Sequence, residues 1–190
     1  MNIKITIGIP TNRGLQPKTM QSLLEMVAIS DYDFCFVIAT EGYTISENRA
    51  YIATQALKNN SDYLLFIDDD MVFPPDTLDR LLAYKKEIIG VASNSRCLPL
   101  KTTVQLLDNT IPEKFLKEFL EVKHVGTGIM LIDMKVFNKI NKPWFNTKTH
   151  INGFTSQGED AWFCERAREK GISIWCDGIL SVSHIGDYIF

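Results

Sequence analysis

Asp68-Asp69-Asp70 stand between the apolar run Tyr63-Leu64-Leu65-Phe66-Ile67 and the segment Met71-Val72-Phe73-Pro74-Pro75. The run before them has the length and aromatic content of a strand buried on both faces, as in a parallel sheet. Pro74-Pro75 opens a helix whose Leu78, Leu81 and Leu82 fall on one face. Three carboxylates are thereby expected at the carboxyl end of a central strand, the edge where open α/β sheets bind ligands. Two like charges about 4 Å apart repel by roughly 4 kcal/mol at an effective dielectric of about 20, and a divalent cation is the simplest relief. An EF-hand calcium loop is excluded, because Phe73 stands at the sixth position, where that loop needs Gly.

Other residues could join this chemistry. Ser156 and Glu159 have the spacing of a capping box, which would occupy Glu159 with backbone and leave Asp160 as the free acid. Asp160 shares a helical face with Phe163, Cys164 and Ala167, so it points toward the interior or a cleft, where a carboxylate can serve as a general base. His184, near the end of the last strand, is preferred over His124 and His150 as a ligand, since imidazole can complete a Mn²⁺ shell beside carboxylates. Arg49 follows Asn48 in the first turn of a helix, and a helix N-terminus with a guanidinium suits a phosphate group. Arg13 and Arg96, in the loops after the first and fourth strands, can approach the same edge.

The elements that must position these groups alternate. Ile3, Ile5, Ile7 and Ile9 form a first strand, Pro10 to Gly14 a loop, and residues 15–29 a helix with Met20, Leu23, Leu24 and Val27 inward. A strand over 33–40 leads to a helix over 45–58, whose start is marked by a capping box of Thr44 and Glu47. The strand ending in the triplet, a helix to about residue 85 and a strand over 87–93 complete a βαβ series, which predicts a mostly parallel central sheet with flanking helices. Further on, strands are expected over 102–107 and 122–133 with a short helix at 112–118 between them. A long loop over the site is expected at 141–158, then a helix over 158–170 and strands over 172–176 and 179–185.

The chain has 190 residues, 45% hydrophobic, 11% aromatic and 23% charged, as expected of one soluble globular domain over 1–190. A net charge of -3 provides no global attraction to nucleic acid or acidic membranes, although a local basic site stays open. Cys35, Cys97, Cys164 and Cys176 are too widely spaced for a zinc cluster and read as reduced thiols, pointing to the cytoplasm. The alternating N-terminus is too short an apolar run for a signal peptide, and no stretch approaches the roughly 20 apolar residues that span a bilayer.

In this order, Ile7-Gly8-Ile9-Pro10-Thr11-Asn12-Arg13, Ser46-Glu47-Asn48-Arg49-Ala50, the Asp-X-Asp triplet, Gly126-Thr127-Gly128-Ile129-Met130-Leu131-Ile132, Gly158-Glu159-Asp160 and His184 resemble the GT-A nucleotide-sugar glycosyltransferases, family 2-like. The resemblance implies a single-domain GT-A fold and a metal-dependent transfer of a sugar from a UDP- or GDP-sugar to an acceptor hydroxyl, with inversion. Pro10, Thr11 and Arg13 would hold the nucleoside with Asn48 and Arg49 nearby. Asp68 would lie near the ribose or base, and Asp70 and His184 on the Mn²⁺ (or Mg²⁺). Asp69 has no fixed role, because the family's Asp-X-Asp-Asp pattern would put Ile67 at its first acidic position. Asp160 would be the base, and Arg96, Gly126, Thr127, Gly128, Glu159 and Trp162 would line the substrates. The chain is short for the family, so a small or open acceptor site, a partner protein or an oligomer is implied. Two alternatives remain at this point: a haloacid dehalogenase-like phosphatase with Asp68 as nucleophile, and a non-catalytic sugar-nucleotide or glycan-binding module.

Overall fold

The computed structural model describes residues 2–42, 44–94, 101–112 and 116–186. The first half runs β1 (Lys4–Pro10), α1 (Pro17–Ile29), β2 (Asp33–Ala39), α2 (Ile45–Lys58), β3 (Tyr63–Ile67), β4 (Met71–Val72), α3 (Thr77–Ala83) and β5 (Ile88–Val91). Then come β6 (Val104–Gln105), β7 (Phe119–Val122), β8 (His124–Val125), β9 (Ile129–Asp133) and α4 (Val136–Lys139). The chain continues through β10 (Lys148–Thr149), β11 (Thr155–Gln157), α5 (Glu159–Glu169), β12 (Ile174–Asp177) and β13 (Ser183–His184).

Seven strands form the central sheet in the order β2-β1-β3-β9-β5-β12-β7. Five of them run the same way, while β9 and β7 run against them. The inner strands are apolar on both faces because each face is covered. On one side Leu64, Phe66, Met130 and Ile132 pack with Ile52 and Ala56 of α2 and Phe163 and Ala167 of α5. On the other, Ile5, Ile7, Ile9, Leu65, Ile67 and Leu131 pack with Leu23 and Met26 of α1 and Leu78 and Leu81 of α3. Burying each such side chain contributes roughly 1.5–3 kcal/mol before conformational entropy is counted.

Gly8 faces α2, and a methyl group there would collide with the Ile52 Cγ2 methyl, which has no exposed side on which to yield. Gly8→Ala is therefore expected to lose about 1–3 kcal/mol, read as a lower urea midpoint at unchanged slope.

Several elements differ from the sequence reading. Helix α1 starts at Pro17 and buries Thr19, Ser22, Leu23 and Met26, leaving Met20 and Leu24 exposed. Its Ser22 hydroxyl accepts from the Phe73 N–H at 3.2 Å, and that bond turns the small polar flank inward against β4. Pro74-Pro75 precede α3 without belonging to it; Thr77 opens the helix and donates its hydroxyl to the Pro74 carbonyl at 2.6 Å. The stretch 122–133 breaks at Gly126-Thr127-Gly128 into β8 and β9, and β9 inserts antiparallel between β3 and β5. Residues 102–107 form the short β6, which pairs with β8 outside the main sheet. The segment 141–158 is no plain loop, because β10 and β11 make a hairpin within it. Residues 179–185 do not return to the sheet; Ser183 and His184 pair with β4. The helix expected at 112–118 falls partly on 113–115, outside the described residues, and its described flanks are not helical. Arg96 and Cys97 also lie outside the described residues. Among the described residues no helix is long and apolar enough to cross a membrane.

Candidate active site

The triplet occupies the carboxyl end of β3, and its backbone is tied down on several sides. The Asp68 N–H donates to the Gly128 carbonyl at 2.9 Å, which holds the acidic turn against the Gly126-Thr127-Gly128 turn. The Asp69 carbonyl accepts from the Gln16 N–H at 2.9 Å, and the Asp70 carbonyl from the Ile185 N–H at 2.8 Å.

Each carboxylate has its own partners. Asp69 accepts from the Thr11 hydroxyl at 2.5 Å and from Arg13 Nη2 at 3.3 Å. The same Thr11 oxygen accepts from the Arg13 and Gly14 N–H groups, so one hydroxyl shapes the loop after Pro10, and Gly14 supplies the positive φ of 91° that this turn needs. Asp70 is fully buried, with Arg13 Nη2 at 2.9 Å. Asp68 accepts from Arg49 Nη2 at 2.8 Å.

Arg49 is the hub. Its side chain is only 3% exposed and bridges Asp68 to Glu159, whose Oε1 accepts from Nε at 3.2 Å. The guanidinium also lies over the Phe66 ring, 5.3 Å from its centroid. Burial disfavours its charge, but Asp68 and Glu159 outweigh that cost and hold its pKa above the ordinary value. Arg49 Nη1 has no hydrogen-bond partner among the described residues. Thr11, Arg13, Arg49, Asp68, Asp69 and Glu159, with Pro10 beside them, line a cleft of about 310 Å³. Asn48 lines a second cavity of about 360 Å³ with Glu41, Gly42 and Tyr51; it accepts from the Gly42 N–H at 2.8 Å and donates to the Asn12 side chain at 3.2 Å.

The capping box expected of Ser156 and Glu159 does not form. Gly158 is the N-cap of α5 without a side-chain cap, and Ser156 is held in β11. Glu159 takes the buried guanidinium instead, because a charge-assisted bond in a low-dielectric site outweighs one to a backbone N–H. Asp160 is half-buried and accepts from the Ala161 N–H at 2.7 Å. Its charge acts on His124 and Cys164, whose pKa values are set first by burial: the imidazole is lowered and the thiol is raised to about 12. Trp162 turns toward the 141–158 segment, donating its indole N–H to the Pro143 carbonyl at 3.2 Å.

On the far side of the triplet, Gly128 faces both Asp68 and His184. A Cβ there would sit 3.7 Å from Asp68 Oδ2 and 3.6 Å from His184 Nε2. His184 Nδ1 lies 2.6 Å from the Asn94 carbonyl, which can only accept, so Nδ1 carries a proton, and in the neutral imidazole Nε2 is the nitrogen with the lone pair. Of the three aspartates, Asp68 thus shares the Gly128 surface with His184, while Asp70 lies on Arg13. A carboxylate oxygen and an imidazole nitrogen with its second nitrogen anchored fit a divalent cation such as Mn²⁺. Among the described residues no three His, Cys, Asp or Glu side chains form a cage by themselves, so a cation would need further ligands from substrate or water. Gly126 and buried Thr127 complete the turn, with the Gly126 N–H donating to the Thr103 carbonyl at 2.9 Å. Asn12 lies in the loop that the sequence points to, whereas Glu41, Tyr51 and Asn94 have no motif to mark them; the positions of Glu41 and Tyr51 in and after the loop following β2 are the available signal.

No family model and no curated protein sequence matches the chain. Solved structures do match over nearly its whole length. A197 from STIV superposes with a TM-score of 0.64 at 17% identity, covering 97% of this chain and 86% of that one. S. aureus TarS in complex with UDP-GlcNAc gives 0.55 at 13% identity, with 99% of this chain and 60% of that one covered. GalNAc-T7 with UDP, GalNAc and Mn²⁺ gives 0.56 at 9% identity, with 98% and 44% covered. The chain thus spans less than two thirds of the length of the last two. These superpositions extend over nearly the whole chain, with its five co-directional strands and inserted antiparallel β9, and show that it has the GT-A fold.

Proposed function

We propose that the protein is a metal-dependent glycosyltransferase, moving a sugar from a nucleotide-diphosphate sugar to an acceptor hydroxyl with inversion at the anomeric carbon. The observation that carries this reading is the meeting of two guanidinium groups, Arg13 and Arg49, with the acidic turn and His184 at the carboxyl edge of the sheet. Cations suit a diphosphate, and carboxylates beside an imidazole suit the ion that accompanies one.

Thr11, Asn12 and Asn48 hold the loops after β1 and β2, where the nucleoside would lie between the two cavities. Arg49 keeps its Nη1 amino group for a phosphate oxygen while Asp68 and Glu159 fix its plane; Arg13, nearly half-exposed, adds a second positive charge. Asp68, Asp70 and His184 are the residues that would hold the cation, and Gly128 leaves them space. When bound, a divalent cation neutralises charge on the leaving diphosphate. Asp160 takes the proton from the acceptor hydroxyl, with Gly126, Thr127 and Trp162 near its path. Asp68 is poorly set for a phosphatase nucleophile, since Arg49 already grips its carboxylate.

A thermal-shift screen of UDP-, GDP- and dTDP-sugars with and without Mn²⁺ tests the reading. One nucleotide is expected to raise Tm in a metal-dependent way, by about 2.7 kcal/mol of stability at about 100 times its Kd, or roughly 5–10 °C for a chain of this size. If no nucleotide does so, the reading fails.

A further inference from the structure

The hairpin of β10 and β11 holds two apolar side chains out into water. Ile151 is fully exposed and Phe154 is 73% exposed, more than any other large apolar side chain among the described residues. Neither position is left to chance by the backbone. The His150 N–H donates to the Phe154 carbonyl at 2.8 Å, the Gly153 N–H to the His150 carbonyl at 2.9 Å, and the Phe154 N–H to the Asn152 side chain at 3.2 Å. Gly153 takes the positive φ of 85° that closes the turn. A turn needs Asn and Gly and has no need of Ile or Phe, which cost solubility at this site. The base of the hairpin is anchored, since Trp144 and Phe145 are buried in the core and Lys148 pairs with Glu165 of α5. The tip is therefore a shaped projection.

Charge decides what it could meet. From 141 to 158 the sequence contains no Asp or Glu, while Lys142, Lys148 and His150 are all exposed. The carboxylate facing the hairpin, Glu165, is already engaged by Lys148 at 2.7 Å and Gln157 at 3.0 Å. In a chain of net charge -3 this is a local stretch of the opposite sign. Exposed apolar groups flanked by Lys142 and His150, with the one facing acid, Glu165, neutralised by Lys148, match the interface of an anionic bilayer, where the apolar tip enters the headgroup region and each free cation adds attraction.

We propose that the β10–β11 hairpin docks the protein on anionic phospholipid surfaces, with Ile151 and Phe154 inserted and Lys142 and His150 at the headgroups. The association is peripheral and reversible, as expected of two inserted side chains. Because β11 runs into Glu159 and Asp160, the docked surface lies beside the start of α5.

Co-sedimentation of the full chain with vesicles tests this. The protein is expected to pellet with vesicles of phosphatidylcholine and phosphatidylglycerol, to be released as salt is raised, and to stay in solution with phosphatidylcholine alone. The double variant Ile151→Ser, Phe154→Ser should lose at least about 10-fold in partitioning at unchanged Tm, since both positions are exposed. Lys142→Glu should weaken binding in low salt only. The proposal is overturned if the unaltered protein does not pellet with the anionic vesicles, if the double variant pellets as well as the parent, or if neutral vesicles bind equally. It is also overturned if the double variant loses activity on a soluble acceptor while keeping its vesicle binding, which would make the tip an acceptor contact.

Discussion

Asp160→Asn is expected to lower kcat for glycosyl transfer by about 10³-fold while leaving the nucleotide-sugar Kd within about twofold. General-base catalysis contributes about 10²- to 10⁴-fold, and an amide cannot accept the acceptor's proton. The fold should be indifferent to the change. The Asn oxygen can still accept from the Ala161 N–H, as Asp160 does at 2.7 Å, and the position has no ion pair among the described residues to lose. Isothermal titration with the donor and steady-state kinetics with a competent acceptor separate the two effects. Glu159→Gln is the companion measurement, because Glu159 faces the 310 Å³ cleft and holds Arg49, whereas Asp160 acts on His124 and Cys164. That variant should raise KM for the donor more than it lowers kcat. If Asp160→Asn keeps full transfer and Glu159→Gln abolishes it, the base has been assigned one residue too late.

That pair also marks where sequence pattern stops being informative. The Ser156 and Glu159 spacing is as good a capping signal as that of Thr44 and Glu47, yet only the second box forms. Thr44 and Glu47 have no better offer, so the local rule holds and α2 runs from Ile45 to Lys58 as its pattern requires. Glu159 has Arg49, which lies 110 residues away in the chain and is invisible to any local rule. The same division runs through the fold. Strand β3 is legible because residues buried on both faces read as an unbroken apolar run, β1 because its isoleucines alternate, and the edge strand β2 because its run stays apolar although Phe36 and Ile38 are exposed. The reversal of β9 is not, since an apolar run carries no direction, and the break at Gly126-Thr127-Gly128 reads equally well as a continuous strand. The rotation of α1 was missed because Met20 and Leu24 satisfy helical periodicity as well as Met26 does; a single bond from the Phe73 N–H to Ser22 selects the other flank. At the site, residue types and chain order point to one sheet edge, but the placing of both His184 and Asp68 beside Gly128 depends on β13 pairing with β4.

Arg49→Met is expected to destabilise the protein by about 3–5 kcal/mol, the usual range for removing one partner of a buried charge group. For a chain of this length that is a Tm lower by roughly 10 °C or more. Methionine keeps most of the volume and the contact with Phe66, so cavity formation adds little. What remains is electrostatic: Asp68 and Glu159, with side chains 22% and 15% exposed, lose the one cation between them in a cleft already holding Asp69. The origin of the loss can be tested by repair. Adding Asp68→Asn and Glu159→Gln removes the stranded charges and should recover about half or more of the lost stability, since neutral amides are far cheaper to leave partly buried than carboxylates. Donor binding should not return with it, because the repair restores no N–H group for a phosphate. Urea denaturation of the three proteins beside their donor titrations reads both quantities. A triple variant no more stable than Arg49→Met would locate the cost in packing, and one that regained donor affinity would remove Arg49 from the phosphate site.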